Sequence, residues 1–158
     1  MKSLIYKIIF FWKKPKVLVV TDGDREMIKK NISQVLGSSF RTEGEILFLD
    51  DAEKINLSKK NYLVLNFDDG NVRRLKEKNP SQILTFGFKE GADFQATDLK
   101  LNGGTNFKVN YQGKIVPIWL QKHAEEKEIY SVLTTVAVGT IYGLNLVEIS
   151  QALKSYDS

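Results

Sequence analysis

The sequence predicts an α/β fold: a mostly parallel sheet with flanking helices, running into a three-stranded antiparallel meander. Three observations carry this. Over residues 16–86 short β-branched runs alternate with helix-period segments, the pattern of a parallel sheet with crossover helices. Near residue 90 the apolar period drops to two, with glycine-bearing turns between the runs. From about residue 127 two more helix-period segments close the chain.

The elements follow in order. Lys16-Val-Leu-Val-Val20 reads as a buried strand. Ile28, Ile32, Val35 and Leu36 recur at helical spacing, and Gly37 is a natural stop. Ile46–Leu49 reads as a second strand and Tyr62–Asn66 as a third, with the polar stretch 50–60 between them as a loop or short helix. A charged helix follows near 70–78, then a fourth strand at Gln82–Phe86. Phe94, Ala96 and Asp98 alternate with polar neighbours, as do Phe107, Val109 and Tyr111, and then Val116, Ile118 and Leu120. Gly103-Gly104 and Gln112-Gly113 are the turns between them. Tyr130, Leu133, Ala137, Ile141 and Leu144 mark one face of the next helix, which Gly143 ends. Asn145 and Glu148 form a capping-box pair for the last helix, whose face is Leu146, Ile149 and Leu153.

Composition sets the outer bounds. With 158 residues, 42% hydrophobic and 27% charged, the chain suits a single domain with a sizeable core. It has no cysteine and one histidine, His123, which excludes disulfides, thiolate metal sites and multi-histidine metal centres. The net charge of +4 is not spread evenly. Residues 1–16 hold five lysines and no acid, which leaves 18 basic against 19 acidic residues in the body. No strand pair interleaves basic and aromatic residues, so no nucleic-acid partner is predicted.

The N-terminal segment 1–15 reads as an amphipathic extension to a single domain at 16–158. Its apolar run Ile8–Trp12 is too short for a membrane span, which needs about 20 residues. It has no small-residue cleavage site, so a signal peptide is not predicted. Leu4, Ile8, Phe11 and Trp12 share one helical face beside the lysines. That face is expected to pack on protein, its own domain or another chain in a homo- or hetero-oligomer. The alternative is a membrane surface. Trp119, like Trp12, is expected to serve packing.

Four strings, in this order, carry a family resemblance. They are Val64-Leu-Asn-Phe-Asp-Asp69 with Val72-Arg-Arg-Leu75; Thr85-Phe-Gly-Phe88 with Gly91-Ala-Asp-Phe94; Tyr130–Gly139; and Gly143–Leu153. Together they resemble the central, ATP-binding domain of the Mur ligases, which add amino acids to cell-wall peptidoglycan precursors. Over 12–45 the likeness is weaker, and Lys14–Thr21 and Ser38–Gly44 are similar to the branch that adds D-Ala-D-Ala. The resemblance implies the family's central-domain fold, a cytoplasmic setting and a nucleotide site.

The family's phosphate loop, T-G-x-x-G-K-[ST], cradles phosphates with backbone N–H groups, its lysine and its hydroxyl. Here the corresponding loop is Thr21-Asp-Gly-Asp-Arg-Glu-Met27, with one glycine and no G-K-[ST]. Arg25, or further on Lys29 or Lys30, is the nearest replacement for the lysine. Asp22, Asp24 and Glu26 stand where a polyphosphate would approach. The short stretch Glu43–Asn61 has no counterpart of the family's acidic metal ligand or its metal-orienting lysine. Ser131 stands where the family has an asparagine near the adenine, and His123 is displaced by an insertion. The family's UDP-sugar and amino-acid domains have no counterpart in this sequence.

The degenerate phosphate loop is therefore Thr21, Asp22, Gly23, Asp24 and Arg25. The candidate ligand or metal cleft is Asn66, Asp68 and Asp69, at the C-terminal end of a parallel strand, where open α/β sheets place ligands. Paired carboxylates there could hold Mg²⁺ through water. The simpler reading is that Asp68 or Asp69 caps the following helix. Asp50-Asp51 reads as a solvated loop, and His123 as a surface residue. No catalytic residue, resident metal or cofactor is assigned. The functional expectation is a non-catalytic binding or scaffolding module linked to cell-wall precursor metabolism. The alternatives are an ATP- and Mg-binding ligase subunit completed by another chain, and a peripheral module at the inner face of the membrane acting through residues 1–14.

Overall fold

The computed structural model describes residues 16–37, 45–50, 61–78 and 82–156. The predicted N-terminal face, Leu4, Ile8, Phe11 and Trp12, lies outside the described residues. So do residues 38–44 and the stretch 51–60.

Seven strands form one sheet in the order β2-β1-β3-β4-β5-β6-β7. They are β1 (Lys16–Val20), β2 (Ile46–Phe48), β3 (Asn61–Asn66), β4 (Ile83–Gly87), β5 (Phe94–Lys100), β6 (Thr105–Tyr111) and β7 (Lys114–Leu120). The first five are parallel to their neighbours. The last three form the antiparallel meander. β5 belongs to both halves, which is how the predicted change of period is built into one sheet. The helices are α1 (Arg25–Leu36), α2 (Gly70–Lys78), α3 (Glu126–Ile141) and α4 (Leu146–Tyr156).

The two crossover helices lie on opposite faces. Ile28 and Ile32 of α1 join Val17, Val19, Val64 and Phe86 in the main core, which α3 and α4 complete. Val72 of α2 joins Leu18, Leu63, Leu65 and Ile83 on the other face. β1 and β3 are buried from both sides, so their apolar runs are continuous rather than alternating. The largest fully buried side chains include Phe86, Phe94 and Phe107, each worth about 1.5–3 kcal/mol of burial.

The chain leaves β1 toward β2 and later returns to the other side of β1 as β3. That reversal puts a crevice at the C-terminal ends of β1 and β3, the ligand position of open α/β sheets. Everything in the candidate site hangs on this crevice.

Three details differ from the sequence reading. Asp98 does not continue the alternation: it sits at φ 53° in a bulge between Thr97 and Lys100, where it pairs with Lys108 at 2.7 Å. Trp119 does not pack in the core. It is 54% exposed, because it alternates with buried Ile118 on the sheet face that α3 and α4 leave open. Helix α3 has no single apolar face either. Residues Ile129–Gly139 are all buried, since sheet, α1 and α4 enclose it. Its buried hydroxyls are satisfied inside the helix. Ser131, Thr134 and Thr135 donate to carbonyls four residues back, at 2.9, 2.7 and 2.9 Å.

Other details match. Glu148 N–H donates to Asn145 Oδ1 at 2.8 Å, and Asn145 Nδ2 donates to Glu148 Oε1 at 2.7 Å. Gln112 and Gly113 both have positive φ, 49° and 75°, as a two-residue hairpin turn requires.

Candidate functional site

The loop between β1 and α1 is built by its own polar residues. Thr21 Oγ1 accepts from Gly23 N–H at 3.0 Å and meets Thr134 Oγ1 of α3 at 3.2 Å. Asp24 is the N-cap of α1, its Oδ1 accepting from Glu26 N–H at 3.0 Å and Met27 N–H at 3.1 Å. Asp24 N–H donates to Ser131 Oγ at 2.7 Å. Four amides at this helix start, those of Gly23, Asp24, Glu26 and Met27, thus have partners within the protein. Such amides are the groups that make a helix N-terminus attractive to phosphate.

Ser131 explains the surviving glycine. A Cβ at Gly23 would lie 2.8 Å from Ser131 Oγ and 3.0 Å from its backbone nitrogen. Loop and helix α3 are in direct backbone approach there, so no side chain fits. Ser131 is therefore placed directly under the loop.

The charged residues of the loop face away from a shared focus. Arg25 pairs with Asp50 at 2.5 Å, and its guanidinium carbon lies 5.8 Å from the centre of the Phe48 ring. Asp50 belongs to this pair rather than to open solvent alone. Glu26 pairs with Lys29 at 3.2 Å. Asp22 turns into the crevice, where its Oδ2 accepts from Asn66 Nδ2 at 3.2 Å. That bond links the ends of β1 and β3 across the point where strand order reverses.

Asp68 does not cap the following helix. Its carboxylate accepts from Phe88 N–H at 2.9 Å, Lys89 N–H at 2.9 Å and the Tyr130 hydroxyl at 2.8 Å. Asn66 Oδ1 accepts from Asp68 N–H at 3.0 Å, which closes an Asx turn and swings the carboxylate toward β4. Gly87 makes room: a Cβ there would sit 2.5 Å from Asp68 Oδ1. Asp68 thus ties β3, the loop after β4, and α3 together. Burial first, then the Asp68 hydrogen bond and charge, raise the Tyr130 hydroxyl pKa above its ordinary value.

These residues form one cleft of about 430 Å³, lined by Asp22, Asn66, Asp68, Asp69, Glu126, Lys127 and Tyr130. The structure therefore brings Asp22 of the loop together with the predicted Asn66, Asp68 and Asp69. Tyr130, Glu126 and Lys127 were missed as lining residues. Tyr130 was read only as part of an apolar helix face, and only the topology puts its hydroxyl end at the crevice. His123 is exposed, as expected. Among the described residues no group of three or more His, Cys, Asp or Glu is placed to hold a metal ion. None of the described helices is long and apolar enough to cross a membrane.

The fold and site define a class: an α/β domain with a crevice at its strand reversal. MurF from Acinetobacter baumannii superposes with a TM-score of 0.66 over 94% of this chain and 47% of its own, at 14% identity. In sequence the chain is similar to Mur ligases. It is 37% identical over 95 residues to a UDP-N-acetylmuramate–L-alanine ligase of Hydrogenobaculum sp. (strain Y04AAS1), covering 59% of this chain and 21% of that protein. A ligase of the same description from Syntrophus aciditrophicus (strain SB) is 24% identical over 150 residues, 93% of this chain and 29% of its own. The resemblance read from the motifs thus holds in sequence and in fold. The chain spans between a fifth and a third of these relatives' length. No protein-family model matches the chain.

Proposed function

We propose that this chain is a non-catalytic binding or scaffolding module linked to cell-wall precursor metabolism, working in the cytoplasm through contact with another protein chain. One observation carries the reading. The amides that would cradle a polyphosphate are already bonded to Thr21, Asp24 and Ser131. Freeing them for a phosphate means breaking the N-cap of α1, worth about 1 kcal/mol, and stranding the Asp24 carboxylate beside the anion. A carboxylate about 4 Å from a phosphate adds about 4 kcal/mol of repulsion at a surface-like dielectric. Arg25 is drawn toward Asp50 in an exposed ion pair, of a kind worth about 0–1 kcal/mol, so its charge offsets only part of that repulsion. The residues present do not fit Mg-ATP.

The Asn66–Asp68–Asp69 crevice is the ligand face of this module. Asp69 lines it as an exposed residue, while Asp68 holds the cleft's shape. Calorimetric titration of Mg-ATP into the full chain is expected to give no saturable heat at submillimolar concentration. Saturable binding tighter than about 100 μM would overturn the reading in favour of an ATP-binding ligase subunit.

A further inference from the structure

The sequence holds three steps in which an Asp or Asn precedes a glycine: Asp22-Gly23, Asp69-Gly70 and Asn102-Gly103. Without a Cβ, a glycine leaves its own backbone nitrogen open to the side-chain carbonyl just before it. Attack there closes a five-membered imide. Whether a step reacts in the folded chain depends on what holds its two residues.

Two of the steps are held. Gly23 N–H donates to Thr21 Oγ1 at 3.0 Å, Asp22 accepts from Asn66, and the loop lies against Ser131. Asp69 N–H donates to Asn66 O at 3.3 Å, and its carbonyl accepts from Val72 N–H at 3.2 Å, so that step is built into the start of α2. Asn102-Gly103 is different. Leu101, Asn102 and Gly103 are all exposed in the connection between β5 and β6. Among the described residues, no hydrogen bond holds the Asn102 side chain or the Gly103 N–H. A Cβ at Gly103 would meet nothing within 4 Å. The chain is clamped from Gly104 onward, where a Cβ would run into Leu120 O and Thr105 Oγ1 accepts from Ala124 N–H at 2.7 Å. Ring closure turns ψ and χ1 of Asn102, upstream of that clamp.

We propose that Asn102 is a site of spontaneous deamidation in the folded protein. The Gly103 nitrogen bonds to Asn102 Cγ and gives up its proton. The Cγ–Nδ2 bond breaks, and Nδ2 leaves with that proton as ammonia. Water then opens the imide, its hydroxyl going to carbon and its proton to nitrogen. Cleavage between nitrogen and Cγ leaves aspartate; cleavage at the main-chain carbonyl leaves isoaspartate. Either product adds a carboxylate to a hairpin whose strands carry Lys100 and Lys108. The site lies outside the Asn66–Asp69 crevice and goes beyond the function proposed above.

The test ages the full chain in mildly alkaline buffer, once folded and once unfolded in guanidinium chloride. Tandem mass spectrometry then reads the tryptic peptides 17–25, 61–73 and 101–108, and isoaspartyl methyltransferase labelling reads isoaspartate. Each step is compared with itself in the unfolded chain. Folding should slow conversion of Asn102 by less than about tenfold, and isoaspartate formation at Asp22 and Asp69 by more, since those steps must first open locally. Asn102→Ser, which keeps Asn106, should abolish the product in peptide 101–108. A folded chain that slows Asn102 by tenfold or more overturns the proposal. So does slowing at Asn102 no smaller than at Asp22 and Asp69, or product that persists in Asn102→Ser.

Discussion

Replacing Asp68 by alanine separates two accounts of this residue. If it only capped α2, the loss would be about 1 kcal/mol. The structure instead gives its carboxylate three donors. Phe88 N–H is partly buried, and leaving it without an acceptor costs about 1–3 kcal/mol. The Tyr130 hydroxyl loses a charge-assisted bond but can turn to the cleft, which leaves about 1 kcal/mol. Lys89 N–H lies at the surface, where water replaces the carboxylate at little cost. The expected total is about 2–4 kcal/mol, or roughly 5–15 °C in melting temperature for a domain of this size. Urea unfolding followed by circular dichroism measures it. A double-mutant cycle with Tyr130→Phe adds a sharper criterion. The pair shares a bond, so its coupling should be at least about 1 kcal/mol. A loss no larger than a cap's, with Tyr130→Phe additive within about 0.5 kcal/mol, would refute the three-element junction.

Gly23→Ala should destabilise by about 1–3 kcal/mol through its approach to Ser131, and Ser131→Gly should recover part of that in the same unfolding assay. Burial, then the Asp68 bond and charge, raise the Tyr130 pKa; burial, then the Glu45 charge, raises that of Tyr142. Each therefore contributes stability that is complete below the unfolded tyrosine pKa of about 10 and lost as pH rises toward its folded value. Unfolding free energy should fall with pH above about 10, and less steeply in Tyr142→Phe. Deleting residues 1–13 should lower the melting temperature or change the oligomeric state. Equal stability combined with lost sedimentation on anionic liposomes would assign that segment to a membrane surface instead.

Much of the fold was legible because its signals are local. Residues 17–19 and 63–65 are buried on both sides, and a short apolar run is the direct trace of that. Gln112-Gly113 fixes a hairpin because two positive-φ residues admit few other turns. The misread residues depend on what lies across the fold. Trp119 is exposed because it alternates with buried Ile118 and no described element covers that opposite face. Asp68 followed a strand and preceded a helix, the usual place for a cap. Only the return of β4 beside β3 brings two backbone amides within its reach, and only the packing of α3 brings a tyrosine. Ser131, Thr134 and Thr135 look wrong for a buried helix until their bonds to the preceding turn are traced.

The proposed loss of nucleotide chemistry and the stability of the β1–α1 loop have one physical origin. A loop that receives phosphate must hold its amides unsatisfied in the free state, which is a standing cost. Here Asp24 and Ser131 remove that cost by accepting those N–H groups themselves. Each acceptor stabilises the free domain by closing what a ligand would otherwise close. The exchange works in one direction only. A phosphate would have to displace a carboxylate that shares its charge and a hydroxyl already donating to Lys127 O. On the proposed reading, a single added lysine in the loop is expected not to give Mg-ATP binding, because the occupied amides oppose a phosphate as well as the missing cation. Restoring it would need Asp24 and Ser131 changed together, and the domain would then lose the cap and the loop-to-helix tie that now hold α1 against α3.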